Sequence, residues 1–270
     1  MTNAIEDLFS ESIVIDFETT SLDFREAEII QYAGDNVIAI LEQAALNGYD
    51  DAATYQFYKP DEPVTPKISS VTCITNRMLE GMPRFKDHQD KVEEEINKYK
   101  YLVAHNAYYE EGILKSHGMK FPRTICTMRF ARKLYKGRED ISEHNLTFLR
   151  YALDLPIPDH IRAHLAHEDA MVTALLFIRL VDDAIHAGTI DPDAGSLGEQ
   201  IVNWLDEPII TETMPFGKHK GKQLTDVPLD YWHWALDKMD SLNEENPAYD
   251  RDFSASVILA VEAILDGQDQ

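Results

Sequence analysis

Three stretches of the chain carry polar residues whose types and spacing could do chemistry. Asp16 and Glu18 lie in SIVIDFE, His105, Asn106 and Glu110 in VAHNAYYEEGIL, and His164 and Asp169 in HLAHEDAMV. SIVIDFE reads as a strand. Side chains alternate faces along a strand, so the two carboxylates point the same way. Such a pair repels unless a cation lies between, and hard oxygen donors suit magnesium or manganese. Taken alone, D-x-E is a weak signal and reads first as the polar end of an ordinary strand. His105 and Asn106 close a second strand, YLVAH. Glu110 follows about one helical turn later and can face back toward the strand end. A second His-Asn pair, His144-Asn145, has no acid at that distance and reads as a helix cap. His164 and Asp169 are five apart, which is about 140° on a single helix. That places His164 on the loop before a helix and Asp169 in its first turn, where both converge on one point. The neighbours His160 and His167 read as exposed loop histidines.

The elements that must position these residues follow from periodicity. EIIQYAGDNVIAI and TYQFYKP read as further strands after SIVIDFE, giving an antiparallel meander. PDEPVTP is a connector. FKDHQDKVEEEINKYK has helical charge spacing. The strand YLVAH leads into a helix from about Ala107, then a short strand at TICTM and helical patterns near residues 129–135 and 145–153. HEDAMVTALLFIRLVDDAIH is the strongest helical pattern of all. Strands first, then alternation, predicts an α/β fold: a mixed sheet flanked by helices over residues 1–187. GTIDPDAGSLGEQ lacks periodicity, so a linker is expected around residues 188–210. Residues 211–270, Gly/Lys-rich and then aromatic and helical, read as a small C-terminal accessory module.

Composition restricts the partners. The 270 residues hold 48 acidic side chains against 25 Lys+Arg, a net charge of -23. That field opposes a polyanion, so a nucleic-acid ligand needs local basic patches or bound metal. No apolar run approaches a membrane span of ~18 residues, and the start shows no signal-peptide pattern. A cytoplasmic protein with no membrane partner is expected. Cys73 and Cys126 sit in apolar segments and read as reduced core residues.

VIDFETTSL, VAHNAYYEEGIL and HLAHEDAMVTALLF, in this order, resemble the three motifs of the DEDDh (DnaQ-like) 3′→5′ exonucleases: D-x-E-T-T-G-L, H-N-A-x-F-D and H-x-x-x-x-D. The resemblance spans residues 12–185 and implies a ribonuclease H-like fold. It implies hydrolysis of the terminal phosphodiester of DNA, single-stranded or duplex, at a 3′ end, with release of nucleoside 5′-monophosphates. RNA is the alternative substrate, because the motifs do not read the 2′-OH. Two divalent ions, Mg or Mn, are implied about 3.5–4 Å apart. By the same resemblance Asp16, Glu18 and Asp169 hold the first ion, Asp16 bridges to the second, and position 110 supports the second. His164 is then the general base, while Thr19, Leu22, His105 and Asn106 line the pocket for the terminal nucleotide, with Leu22 able to wedge against a base.

Three positions depart from the family pattern. Ser21 replaces its glycine, Thr72 stands where many members have histidine, and Glu110 replaces its aspartate. Glutamate keeps the charge but reaches ~1.5 Å further. The backbone accommodates it, it ligates through water, or the site is slow, inactive or dependent on the more permissive manganese; a site without turnover serves to bind 3′ ends. Two basic runs stand out. RFARKLYKGR is either a solvated helix face or a nucleic-acid contact. FGKHKGK, with Lys218, Lys220 and Lys222, is either a phosphate-gripping turn or a simple hairpin turn. The later segment resembles one branch of the family, which implies that these lysines grip nucleic acid. Tyr231, Trp232 and Trp234 read as the small module's core.

Overall fold

The computed structural model describes residues 3–47, 52–161, 163–243 and 251–268. The chain divides into two units, Met1–Leu205 and Asp206–Gln270.

The first unit is built on a five-stranded sheet in the order β3-β2-β1-β4-β5. Helix α1 (Asn3–Ser10) leads into β1 (Ser12–Thr19), and β2 (Ile29–Asn36) returns antiparallel beside it. Helix α2 (Val37–Asn47) precedes β3 (Tyr55–Phe57), which closes the meander antiparallel to β2. The segment VIAI, expected to extend the second strand, is helical instead. Asn36 makes the change: its side-chain amide donates to the Phe9, Ser10 and Ser12 carbonyls, and its Oδ1 accepts the Ile38 N–H. A side chain that accepts from N2 in this way starts a helix. Short helices α3 (Pro66–Thr72) and α4 (Asn76–Leu79) and helix α5 (Gln89–Ile96) lead to β4 (Tyr101–Ala104), parallel to β1. Helix α6 (Tyr108–Ser116) crosses to β5 (Arg123–Cys126), parallel to β4, and α7 (Thr127–Leu134), α8 (Leu146–Ala152) and α9 (Ala166–His186) follow. The cap expected at Asn145 is present, its Oδ1 accepting the Phe148 N–H at 2.8 Å.

Alternation along β1 sorts its side chains onto two faces. Val14 joins the core that holds Phe130, Ala170, Ala174 and Phe177, whereas Ile13, Ile15 and Phe17 join the core that holds Val92, Ile96 and Ile113. Asp16 and Glu18 therefore share the face of Val14, the face that α9 covers.

Residues 197–206, read from sequence as linker, form helix α10 (Leu197–Asp206), with Leu197, Ile201, Val202 and Leu205 buried in the first unit's core. Gly198 resembled a linker glycine, but a Cβ there would lie 2.3 Å from the Tyr101 ring. It is glycine because the helix must approach β4 that closely. Two residues of the first basic run bond the same helix. Arg129 Nε donates to the Leu205 carbonyl at 2.7 Å, and Lys133 donates to the Trp204 carbonyl. Cations thus satisfy carbonyls in the last turn of α10.

The second unit holds helices α11 (Leu229–Lys238) and α12 (Arg251–Gln268) around Met214, Leu224, Val227, Trp232, Phe253 and Val257. The bridge Thr213–Gln223 is antiparallel, so FGKHKGK turns as a hairpin. Among the described residues, no helix is long and apolar enough to cross a membrane. Cys73 is exposed rather than in the core, and Cys126 is half-buried; both are free thiols.

Candidate active site

Three elements of the first unit deliver the acidic side chains, and one loop delivers a histidine. β1 carries Asp16 and Glu18, and its register places Glu18 opposite Gln31 of β2. The loop before α9 carries His164, and the first turn of α9 carries Asp169. One ligand atom each from Glu18, His164 and Asp169 fall within 4.8 Å of one another, the spacing of a cation site. His164 reaches this position with a left-handed backbone, φ 73°, and its N–H donates to Asp169 Oδ2 at 2.9 Å. The same bond holds the loop to the helix. Helix α6, which starts just beyond β4, carries Glu110 in its first turn. Gly112 on that helix admits the Phe24 ring, which a Cβ would meet at 2.6 Å.

The electrostatics are those of crowded acids held away from water. Burial, then Asp169, Glu18 and Glu110 in that order, push Asp16 well above the usual carboxylate range. Burial and the Asp169 charge push Glu18 up to about 8. Burial raises Asp169 to about 6, against the His164 N–H, which favours its charged form. Burial raises Glu110 to about 8; its backbone hydrogen bond opposes this, and the Glu111 and Glu18 charges add to it. Glu110 is only 4 % exposed, and its Oε2 has no hydrogen-bond partner. A buried carboxylate oxygen without a partner, beside other raised carboxylates, is the setting that a divalent cation relieves. The donor set, carboxylates with one imidazole, fits such an ion.

The substrate-side residues are placed unequally. Leu22 is 93 % exposed. Thr19 Oγ1 donates to the Ser21 carbonyl, which Tyr109 Oη also reaches, so Thr19 and Tyr109 fix the turn after β1. Ser21 is not left-handed, so replacing glycine carries no backbone strain there; its Oγ accepts the Asp23 N–H. Asn106 is exposed, with φ 63°. His105 is different from the expectation. Its Nδ1 meets Thr127 Oγ1 and its Nε2 meets the His144 carbonyl, both at 2.9 Å. Burial holds its pKa down to about 4, so the ring is neutral. It braces the end of β4, and both ring nitrogens are already engaged. Thr72 is buried, and its hydroxyl donates to the Ile68 carbonyl. His167 is not a loop residue: it sits in the first turn of α9, stacked on Tyr55 with centroids 4.1 Å apart. His160 is exposed. Lys218, Lys220 and Lys222 are exposed and belong to the second unit.

Sequence reading missed two residues that hold the site together. Gln31, fully buried, bonds the start of α9 through both ends of its amide. Arg150, 6 % exposed, donates to the Ile161 and Pro158 carbonyls at 2.7 Å and so holds the loop that leads to His164. A signal existed for Arg150. It falls on the stripe of Leu146, Leu149 and Leu153, a polar residue at an apolar position of the helical period.

A mixed sheet with acids at the carboxyl end of its first strand, faced by a helix bearing a third acid, is an arrangement that can hold a divalent cation. Residues 13–177 match the Exonuclease family (RNase_T), and the chain belongs to it. It is a DEDDh-like 3′→5′ exonuclease with a ribonuclease H-like fold. Exodeoxyribonuclease 10 of Escherichia coli K12 is 27% identical over 191 residues, 69% of this chain and 78% of that protein. The PolC-type DNA polymerase III of Halalkalibacterium halodurans is 32% identical over 189 residues, 66% of this chain but only 12% of that protein. Exonuclease X in complex with 5′ overhanging duplex DNA has the same fold, with TM-score 0.52 and 24% identity over 72% of this chain and 99% of that one. Residues 203–239 match a second family, described as "Putative quorum-sensing-regulated virulence factor".

Proposed function

We propose that the chain is a two-metal 3′→5′ exodeoxyribonuclease that releases nucleoside 5′-monophosphates, with His164 as general base. The observation that carries this is the convergence of Glu18, His164 and Asp169 within 4.8 Å, on the face that Asp16 shares. Asp16, Glu18 and Asp169 hold one divalent ion, Mg or Mn, and Asp16 with Glu110 supports the second. The bound ions supply charge neutralisation at the scissile phosphate and at the leaving 3′ oxygen. His164 is exposed beside the carboxylates and takes the proton of the attacking water. Leu22 wedges against the terminal base, while Thr19 and Asn106 border its sugar. His105 acts by fixing the strand end rather than by touching the nucleotide. The named relatives act on DNA, which favours DNA over RNA.

The test is hydrolysis of a 5′-labelled single-stranded DNA oligonucleotide with Mg and, separately, Mn. The RNA of the same sequence runs beside it, and Asp16→Asn is the blank. The expected result is a ladder of shortened DNA, absent in the blank, and slower loss of the RNA. A natural chain that binds the oligonucleotide without shortening it, while Glu110→Asp yields a ladder, replaces this reading with 3′-end binding alone.

A further inference from the structure

The second unit carries a groove of its own. The hairpin turn around Gly217 and helix α11 enclose about 670 Å³, lined by Phe216, Lys218, His219, Tyr231, Trp234 and Met239. Two residues apart on a helix means nearly opposite faces. Trp232 accordingly points inward, fully buried, with Nε1 donating to the Leu224 carbonyl, whereas Trp234 is 52 % exposed in the groove. Only the first of the two tryptophans is the core residue that the sequence suggested. Phe216 is also exposed. Tyr231 orders the remainder: its ring centroid lies 5.4 Å from Trp234 and 4.6 Å from His219, and Lys218 Nζ sits 4.8 Å from it.

Two further observations bear on the occupant. In a chain of net charge -23, Lys218, Lys220 and Lys222 fall within five positions at this turn. His219 Nδ1 is buried without a hydrogen-bond partner. Asp230 also lines the groove, its carboxylate accepting the Tyr231 N–H, and is the one acid among the described residues that line it. An apolar peptide leaves the lysines unanswered. An acidic peptide answers the lysines and leaves the flat Trp234 face unstacked. An unpaired base with its phosphates answers both.

We propose that this groove binds single-stranded DNA, with one unpaired base stacked on Trp234 and adjacent phosphates on Lys218, Lys220 and Lys222. The choice of DNA rests on the proposed function; the groove's chemistry does not. Binding is sequence-tolerant, because every base offers a π-face.

The experiment uses the full chain in EDTA with a 5′-fluorescein oligothymidylate, read by anisotropy and by tryptophan emission. The expected result is that Trp234→Ala weakens binding about ten-fold, within the range for losing one base stack, while Trp234→Phe restores most of it. Lys218→Ala lowers the slope of log affinity against log salt by about 0.7. Circular dichroism confirms that each variant is folded. Unchanged affinity in Trp234→Ala, or equal losses in the Ala and Phe variants, overturns the proposal. Hydrolysis of the p-nitrophenyl ester of thymidine 5′-monophosphate, compared with Asp16→Asn, reports on the catalytic reading alone, so the two readings fail separately.

Discussion

Gln31 Oε1 accepts the Ala166 N–H at 3.1 Å, across 135 residues of sequence. The same side chain meets His167 Nδ1 through Nε2 at 3.0 Å. Leu165, at the N-cap of α9, has no side-chain oxygen with which to satisfy the helix's first N–H groups. Gln31 does so from the neighbouring strand. It thereby sets the distance between Glu18, its cross-strand partner, and Asp169, one turn into the helix.

Gln31→Leu keeps the volume and removes both bonds. The expected loss of stability is about 1–3 kcal/mol from the orphaned buried donor. The turnover rate falls more than the affinity for DNA, by up to about 100-fold if Asp169 moves by ~1 Å. Thermal melts and a kcat-against-KM comparison check this; a variant with unchanged turnover shows that the clamp does not position Asp169.

Glu110 gives opposite signs with and without metal. Without metal, burial and then the Glu111 and Glu18 charges oppose its ionisation, so Glu110→Gln raises the melting temperature in EDTA at neutral pH. With metal the natural chain gains more, and the variant loses hydrolytic rate by about 100-fold or more. Glu110→Asp shortens the reach and keeps the charge; a product ladder from it shows that the backbone tolerates either acid.

The acid cluster makes metal-free stability fall as pH rises. Glu18 and Glu110 titrate near 8 and Asp169 near 6 in the folded chain, each above its ordinary value. Protonated, these groups cost the fold nothing extra. The unfolded chain ionises first, so stability declines from about pH 4.5 through about pH 8, as linkage requires. Melting in EDTA between pH 5 and 9 shows the decline. Manganese at about 100 times its dissociation constant adds about 2.7 kcal/mol and flattens it. Asp169→Asn removes most of that gain.

Arg150→Met leaves the Ile161 and Pro158 carbonyls unpaired and removes a cation whose charge lowers the Asp169 pKa. The expected stability loss is about 1.5–3 kcal/mol, the range for hydrogen bonds to a charged group. The acid limb of the pH–rate profile moves upward. Arg150→Lys restores part of the charge effect without both bonds, so its profile lies between. A profile that does not move in Arg150→Met refutes the electrostatic part.

Much of the site was legible in the chain itself. Asp16 and Glu18 on one strand face, His164 before the helix and Asp169 in its first turn all follow from periods of two and 3.6 residues, which act over a few neighbours. The order of strands and helices follows for the same reason. What lies beyond short range did not. Gly198 reads as a linker residue until the Tyr101 ring is known to lie against it. His105 reads as a ligand-facing group until Thr127 and the His144 carbonyl take both its nitrogens. Trp232 and Trp234 look alike until the module's core claims one and leaves the other in the groove. In each case the deciding partner is remote in sequence, and only packing brings it near. The residue types and local periodicity determined which acids could form a site; the tertiary contacts decided how closely they approach, how far they are shielded from water, and which of their neighbours remain free.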